Sequence, residues 1–150
     1  VQLKPIGRLD MDTEGLLLCT NDGELAHRMA HPRFGMEKEY LATVRGIPED
    51  KALKTLRDGV FVEGRKTAPA RVTLGHPDKR GDRCELKIII HEGRKRQVRL
   101  MCEAVGHPVI ALRRVRVGPI VLKGLRAGEC RMLGKKEVDQ LRELVGLEPS

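Results

Sequence analysis

Aromatic residues are nearly absent from this 150-residue sequence, which has no Trp, one Tyr and two Phe. Proteins that bind single-stranded nucleic acid by base stacking need several exposed aromatic rings, so the composition argues against such a platform. No run of residues approaches the roughly 18 apolar residues of a membrane-spanning helix, and no signal-peptide pattern opens the chain. We therefore expect a protein that is not inserted in a membrane.

The sequence also lacks the cysteine spacing of a zinc or redox site. None of the four cysteines forms a Cys-x-x-Cys pair, and His27 and His31 have no acids or thiols nearby at metal-ligand spacing. The cysteines are Cys19, Cys84, Cys102 and Cys130. Free thiols are typical of a reducing compartment, so we expect a cytoplasmic protein.

Basic residues exceed acidic ones, 29 against 21, which gives a net charge of +8 and a pI near 9.6. This balance favours a polyanionic partner such as nucleic acid or an anionic membrane surface, although it could equally serve solubility alone. Hydrophobic residues make up 40% and charged residues 33%, which is typical of a globular protein. The length suits one domain, residues 1–150, that can bury a core.

Hydrophobic patterning predicts an α+β fold with a mainly antiparallel mixed sheet and flanking helices. Three consecutive leucines predict a buried strand over residues 15–20, because such a run cannot alternate faces with water. Further strands are expected at 37–45, from 61, at 67–74, 84–91 and 112–117. Helices are expected at 24–29, capped by Asn21 or Asp22, from 50 to Gly59, from Gly93 to Gly106 with four cations, and at 135–144.

The segment Gly7-Arg-Leu-Asp-Met-Asp-Thr-Glu-Gly15 places three acids and an arginine directly before the leucine run. An acidic turn on a rigid strand can fix a carboxylate, but acids in loops are also common turn formers. Asp10 and Asp12 also resemble the paired aspartates of the haloacid dehalogenase type. In that type an apolar strand precedes the pair and Mg²⁺ is required, whereas here the strand follows and Glu14 replaces a Thr or Val.

The full string resembles the signature of bacterial ribosomal-RNA pseudouridine synthases that isomerise single uridines. It runs from Gly-Arg-Leu-Asp10 through Asp-Thr-Glu-Gly-Leu-Leu-Leu to Thr-Asn-Asp-Gly23. A second motif of that family is similar to Lys38-x-Tyr40-x-x-x-Val-x-Gly, and a third to Glu-Gly-Arg-x-x-Gln-Val-Arg99. The closing pattern Gly-Glu-x-Arg-x-Leu occurs at 128–133. The motifs cover nearly the whole chain in consistent order.

This resemblance implies the fold of a pseudouridine synthase catalytic domain and conversion of a specific uridine in ribosomal RNA to pseudouridine. The base would be detached, turned and rejoined through carbon, with no cofactor and no metal. Asp10 would be the catalytic carboxylate, and Tyr40 would pack on the target uracil and serve a later proton transfer. Arg99 would pair with Asp10, and the sequence leaves open whether that carboxylate attacks the base or the sugar.

The remaining candidate residues are cations expected to contact RNA. By family likeness Arg8 reaches into the RNA near the extruded base. Arg114 and Arg116 alternate along one strand and could meet a row of phosphates or be exposed edge charges. The other candidates are Lys38, Arg94, Lys95 and Arg96. The expected partner is ribosomal RNA, bound by a monomer; the alternative is a basic RNA-binding module without catalysis.

Family members usually carry an earlier strand with a Lys-Pro-x-Gly turn, and many carry a small N-terminal S4-like RNA-binding domain. We expect neither the earlier strand nor the S4-like domain in this chain. We therefore expect an N-terminally truncated catalytic domain that binds RNA weakly. Leu100 stands where many relatives carry another arginine, which would reduce the phosphate contacts.

Overall fold

The computed structural model describes residues 2–149, which form four α-helices and ten strands, the strands arranged in one six-stranded sheet and two two-stranded sheets. The strands are β1 Lys4–Ile6, β2 Thr13–Gly15, β3 Leu18–Thr20, β4 Lys38–Arg45, β5 Phe61–Val62, β6 Arg65–Lys66, β7 Arg71–Pro77, β8 Arg83–Ile90, β9 Val109–Val117 and β10 Ile120–Val121. The helices are α1 Gly23–Ala30, α2 Asp50–Asp58, α3 Gln97–Ala104 and α4 Lys135–Leu144, and a 3-10 turn spans Pro32–Phe34. The predicted α+β class is confirmed.

The central sheet has the strand order β10-β9-β4-β8-β7, and β2 also pairs with β9. All neighbours are antiparallel except β2 and β9, which run parallel with Glu14 opposite Arg113. Strand β9 holds β4 along one side and β2 and β10 in succession along the other. Strand β2, which forms the end of the acidic segment, is therefore paired directly with the central sheet.

Two hydrophobic clusters pack against the sheet. In the first, Ala42 and Val44 of β4 and alternate residues of β8 meet the apolar faces of α2 and α3. The second joins β1, β3, α1 and α4, and also takes Met36, Val117 and Ile120. Period-two alternation in β4 and β8 explains the first cluster, because one face of each strand is buried and the other is not.

Several local predictions are confirmed. Asp22 caps α1, since its Oδ1 accepts from the backbone N–H groups of Glu24 and Leu25, both at 3.1 Å. Helix α2 ends at Gly59, whose φ of 111° is open to glycine. Strand β7 begins two residues after Pro69 and lies at the end of the strand order. None of the helices within 2–149 is long and apolar enough to cross a membrane.

The predicted continuous strand over residues 15–20 is wrong. Strand β2 ends at Gly15 and pairs with β9, whereas β3 begins at Leu18 and pairs with β1. Leu16 and Leu18 are each 6% exposed, but Leu17 between them is 40% exposed. The chain leaves the central sheet and pairs with β1 within this run. Burial therefore alternates from one leucine to the next, although the three side chains are identical.

The expected absence of a strand before the Arg-Leu-Asp segment is wrong. Strand β1 spans Lys4–Ile6, and Lys4-Pro-Ile-Gly7 matches the Lys-Pro-x-Gly pattern.

Two further boundaries differ from the expectation. Helix α3 begins at Gln97, because Arg96 has a left-handed φ of 55° that interrupts the helix, so Arg99 is the helical one of the four cations. The strand expected at 67–74 lies at Arg71–Pro77. Thr67, Ala68 and Pro69 precede it, since proline cannot donate to a strand ladder.

Candidate active-site cleft

A cleft of about 430 Å³ opens between the two hydrophobic clusters. Ile6, Met29 and Met36 line it from one cluster, and Ile90 and Val98 line it from the other. Most of the predicted site residues also line this cleft, namely Arg8, Asp10, Lys38, Tyr40, Arg94, Lys95, Arg96 and Arg114. The two that do not are Arg99 and Arg116. A cavity of this size is in the range that accepts a small ligand such as one nucleotide.

Asp10 lies in the loop between β1 and β2. The backbone N–H of Thr13 donates to the Asp10 carbonyl at 2.9 Å, which closes a turn just before β2. Asp10 is half-buried at the cleft wall, whereas Met11 beside it is fully exposed. The loop therefore presents one carboxylate to the cleft from a turn that is fixed at its exit.

Arg114 ties this loop to the sheet. Its side chain comes from β9, and the residue is only 4% exposed. Its Nε donates to the Leu16 carbonyl at 2.9 Å, and an Nη donates to the Arg8 carbonyl at 3.3 Å. These two carbonyls flank Asp10 in the sequence, so one buried guanidinium holds both ends of the loop. Two of its nitrogen atoms therefore donate inside the protein.

Asp12 clasps the loop to the start of α3. Both Asp12 carboxylate oxygens accept from the two Nη groups of Arg96, each at 3.1 Å. The Asp12 carbonyl accepts from an Nη of Arg99 at 2.5 Å. The bond from Arg96 holds the pKa of the Asp12 carboxyl below its ordinary value, and the charge of Arg99 adds to this.

The predicted pair between Arg99 and Asp10 does not occur in the part of the chain that is described. Arg99 lies on Asp12 instead, with its Nε 3.4 Å from Asp12 Oδ2 but without a hydrogen bond to any partner. The reason is the path of the loop, which brings Asp12 rather than Asp10 over α3. The Asp12 carboxylate bonds to Arg96, and among the described residues Thr13 Oγ1 is buried without a partner.

Lys38 and Tyr40 project from the same face of β4 into the cleft. Tyr40 is half-buried against the first hydrophobic cluster. Burial lowers the pKa of the Lys38 ammonium, and the positive charge of Arg114 acts in the same direction. The Nζ faces Gly93, where an added Cβ would lie 3.3 Å from it. The structure brings the predicted tyrosine and lysine to the wall shared with Asp10.

The three cations at 94–96 have different surroundings. Arg94 donates to the carbonyls of Val62 and Arg65, the latter at 3.2 Å, and so braces the β5–β6 hairpin. Arg96 is paired with Asp12, while Lys95 is exposed and has no hydrogen bond or ion pair within the described ranges. Lys95 is thus the freest of the three for a phosphate.

Arg114 and Arg116 lie on opposite faces of the sheet, contrary to the prediction from their spacing. Tyr40 pairs with Arg114 and Glu39 with Arg116, so the intervening Val115 forms a β-bulge. Arg116 bonds to Glu39 Oε1 at 3.2 Å on the face away from the cleft. Neither arginine is an exposed edge charge, because β9 has neighbours on both sides.

The cleft combines one acid, Asp10, with six cations at its wall. No group of three or more His, Cys, Asp or Glu side chains that could hold a metal ion occurs among residues 2–149. Such a cleft, with a carboxylate, an aromatic ring and the unpaired ammonium groups of Lys38 and Lys95, can receive a base extruded from RNA. The phosphates that flank this base can bind at the rim. The sequence singled out Asp12 but not its arginine partners, because these are 84 and 87 positions away.

The chain is similar in sequence to RNA pseudouridine synthases. A family profile described as RNA pseudouridylate synthase matches residues 1–104. The ribosomal large subunit pseudouridine synthase B of Bacillus subtilis is 48% identical over 143 residues, which are 95% of this chain and 59% of that protein. The protein of the same name from Pseudomonas aeruginosa is 40% identical over 96% of this chain and 37% of its own length.

Solved structures agree with the sequence comparison. A crystal structure of a pseudouridylate synthase superposes with a TM-score of 0.83 at 36% identity, covering 93% of this chain and 59% of that chain. A chain of an H/ACA ribonucleoprotein bound to a substrate RNA shares the fold at a TM-score of 0.59 and 20% identity, covering 81% of this chain and 40% of that one. The chain spans less than two thirds of the length of each of these four relatives, and it belongs to the RNA pseudouridylate synthase family.

Proposed function

We propose that this protein converts a specific uridine of ribosomal RNA to pseudouridine, with Asp10 as the catalytic carboxylate and no cofactor. The observation that carries the proposal is the common cleft of Asp10, Lys38 and Tyr40, which joins a carboxylate, an aromatic ring and an unpaired ammonium. The two relatives named for the large ribosomal subunit make its RNA the first substrate to test. We further propose that the protein acts as a cytoplasmic monomer.

The reaction requires a base outside the helical stack. Extruding it costs a few kcal/mol, least in loops and bulges, and binding of phosphates by Arg8 and Lys95 at the rim offsets that cost. The extruded uracil then packs against Tyr40, on the wall that also carries Asp10. The bond between N1 and the ribose C1′ breaks, the base turns, C5 joins C1′, the proton on C5 is released, and N1 takes up a proton.

Asp10 must be ionised and correctly aimed for this role. Arg114 holds the loop ends at Arg8 and Leu16, and the Asp12 clasp holds the loop against α3. We propose that Arg99 serves the reaction through this clasp, by fixing the loop rather than by pairing with Asp10. Preorganisation of this kind matters because small misplacements of a reacting group cost large factors in rate.

The proposal is tested by tritium release from ribosomal RNA labelled at uracil C5, in EDTA. Wild-type protein should release tritium, and Asp10→Asn should not, although it should still bind RNA. Asp50→Asn on α2, outside the cleft, is the matched control and should release tritium like wild type. Salt-sensitive RNA binding without release by wild type would support a non-catalytic RNA-binding module instead.

A further inference from the structure

Lys38 is placed at the floor of the cleft rather than at its rim. As the first residue of β4 it pairs with Ile90 of β8 and Val117 of β9, which are 3% and 6% exposed. Its ammonium therefore emerges between the two hydrophobic clusters, two residues before Tyr40 and on the same strand face. Gly93 leaves space for the Nζ, since a Cβ there would approach it to 3.3 Å.

This ammonium has no anionic partner in the described structure, residues 2–149. The carboxylates nearest in sequence, Glu37 and Glu39, bond to Arg116 on the opposite face. Arg114 adds a second positive charge beside Lys38. A half-buried cation without a counter-ion is unfavourable, and such a group is typical of a site that awaits an anion.

We infer that Lys38 donates a hydrogen bond to an oxygen of the target uracil and stabilises the negative charge that the base acquires during isomerisation. This inference rests on the function proposed above and adds a catalytic residue to it. A phosphate is the less suitable anion, because Lys38 is half-buried beside the half-buried Tyr40 on one strand face, whereas Lys95 is exposed.

The charge on the base follows from the bonds that change. When N1 separates from C1′, the electron pair of that bond stays on the uracil, which becomes an anion delocalised over its carbonyl oxygens O2 and O4. The sugar is compensated by a bond from the Asp10 carboxylate to C1′ or by transfer of the C2′ proton to that carboxylate. If Asp10 instead adds to C6 of the base, the displaced π pair becomes an enolate on O4. Each route places negative charge on a uracil oxygen, where a preorganised donor stabilises the transition state.

The kinetic test compares Lys38→Met with Lys87→Met, an exposed lysine on the sheet face away from the cleft. At saturating RNA we expect Lys38→Met to lower the single-turnover rate about 100-fold, as the loss of one charge-stabilising donor does elsewhere. The slope of log affinity against log salt should remain that of wild type for both variants. Lys95→Met supplies the reference, because losing a phosphate contact reduces that slope by about one.

The opposite pattern would overturn the inference. If Lys38→Met reduces the salt slope as Lys95→Met does and recovers the wild-type rate at saturating RNA, Lys38 binds a phosphate. Thermal melting excludes misfolding as a cause of lost activity. Since burial disfavours the Lys38 charge, the methionine variant should melt no lower than wild type.

A binding measurement separates this inference from the proposed function. The probes are 5-nitrouracil, which is an anion at neutral pH, and uracil, which is neutral, each titrated by ligand-observed NMR. Wild type and Lys87→Met should prefer the anion, and Lys38→Met should lose that preference. Equal preference in all three proteins would overturn the role of Lys38. Absence of tritium release by wild type would refute the isomerase, while the anion preference would still decide the role of Lys38.

Discussion

Arg96 and Asp12 form a two-pronged ion pair across 84 positions of sequence, with both nitrogen–oxygen distances at 3.1 Å. Arg96 adopts a left-handed backbone at the start of α3, which aims its guanidinium back toward the loop of Asp10. The pair thus links the helix that follows the third sequence motif to the loop that contains the first. The pair restrains the loop of Asp10 together with the hydrogen bonds of Arg114 and Arg99.

Asp12→Asn should therefore slow turnover without unfolding the protein. We expect about a tenfold lower single-turnover rate, because a loosened loop aims Asp10 less accurately. The melting temperature should change little, since exposed ion pairs contribute little to stability. Glu14→Gln is the matched control, because Glu14 is an exposed neighbouring acid without an ion pair in the residues described. Equal rates for the two variants would show that the clasp does not position the loop.

Arg114→Met should destabilise the fold. The substitution leaves the carbonyls of Leu16 and Arg8 without their donors, and each unsatisfied buried group costs about 1–3 kcal/mol. We expect a loss of about 2–4 kcal/mol in the free energy of unfolding, measured by urea denaturation. Arg113→Met, at the exposed neighbouring position, should stay within about 0.5 kcal/mol of wild type. A comparable loss in both variants would contradict the anchoring role of Arg114.

Gly15→Ala should be strongly destabilising for a different reason. An added Cβ would lie 2.1 Å from the Arg114 carbonyl oxygen, and the φ of 121° is one that L-residues rarely adopt. We expect a loss of more than about 3 kcal/mol in unfolding free energy. Gly124→Ala is the control for backbone strain alone: its φ is 71° with nothing within 4 Å, so about 1 kcal/mol is expected. If the two variants lose the same amount in urea denaturation, the close approach of β2 to β9 is not as described.

Acid should loosen the start of α4. Glu137 accepts two bonds from Arg131, each at 2.9 Å, and one from the Gly134 N–H at 3.0 Å. The Arg131 bonds lower the pKa of Glu137 from 4.5 to about 2. A depressed carboxyl pKa gives stability that is present above the unfolded value and is lost as pH falls through the folded value.

Protection of the Gly134 amide should consequently decline between pH 4.5 and about 2, as followed by NMR. Glu137→Gln should have weak protection that no longer varies over this range. Lys135 and Asp139 form a neighbouring pair on the same helix, so Asp139→Asn is the control for general acid effects. An unchanged pH profile in Glu137→Gln would assign the acid sensitivity to other groups.

The sequence was sufficient wherever structure depends on near neighbours. Asp22 and Gly59 mark helix ends because capping is a property of adjacent residues. Strands β4 and β8 follow from alternation, and the resemblance of the motifs to pseudouridine synthases implied one site for Asp10 and Tyr40 before any contact was known. The helix around Arg96 was mispredicted, because a single left-handed residue that is not glycine leaves no pattern in the sequence.

By itself the sequence determined the α+β class, which depends on the hydrophobic period of each segment. The order of its motifs determined the family and indicated most of the residues that line the cleft. The tertiary structure decided which charges remain available. A bulge at Val115 turns Arg114 inward to the loop and Arg116 outward to Glu39, although their spacing suggests one face. The same applies to Arg99, which contacts Asp12 rather than Asp10. Partners so distant along the chain are chosen by strand register and loop path, and no local pattern of residues specifies those.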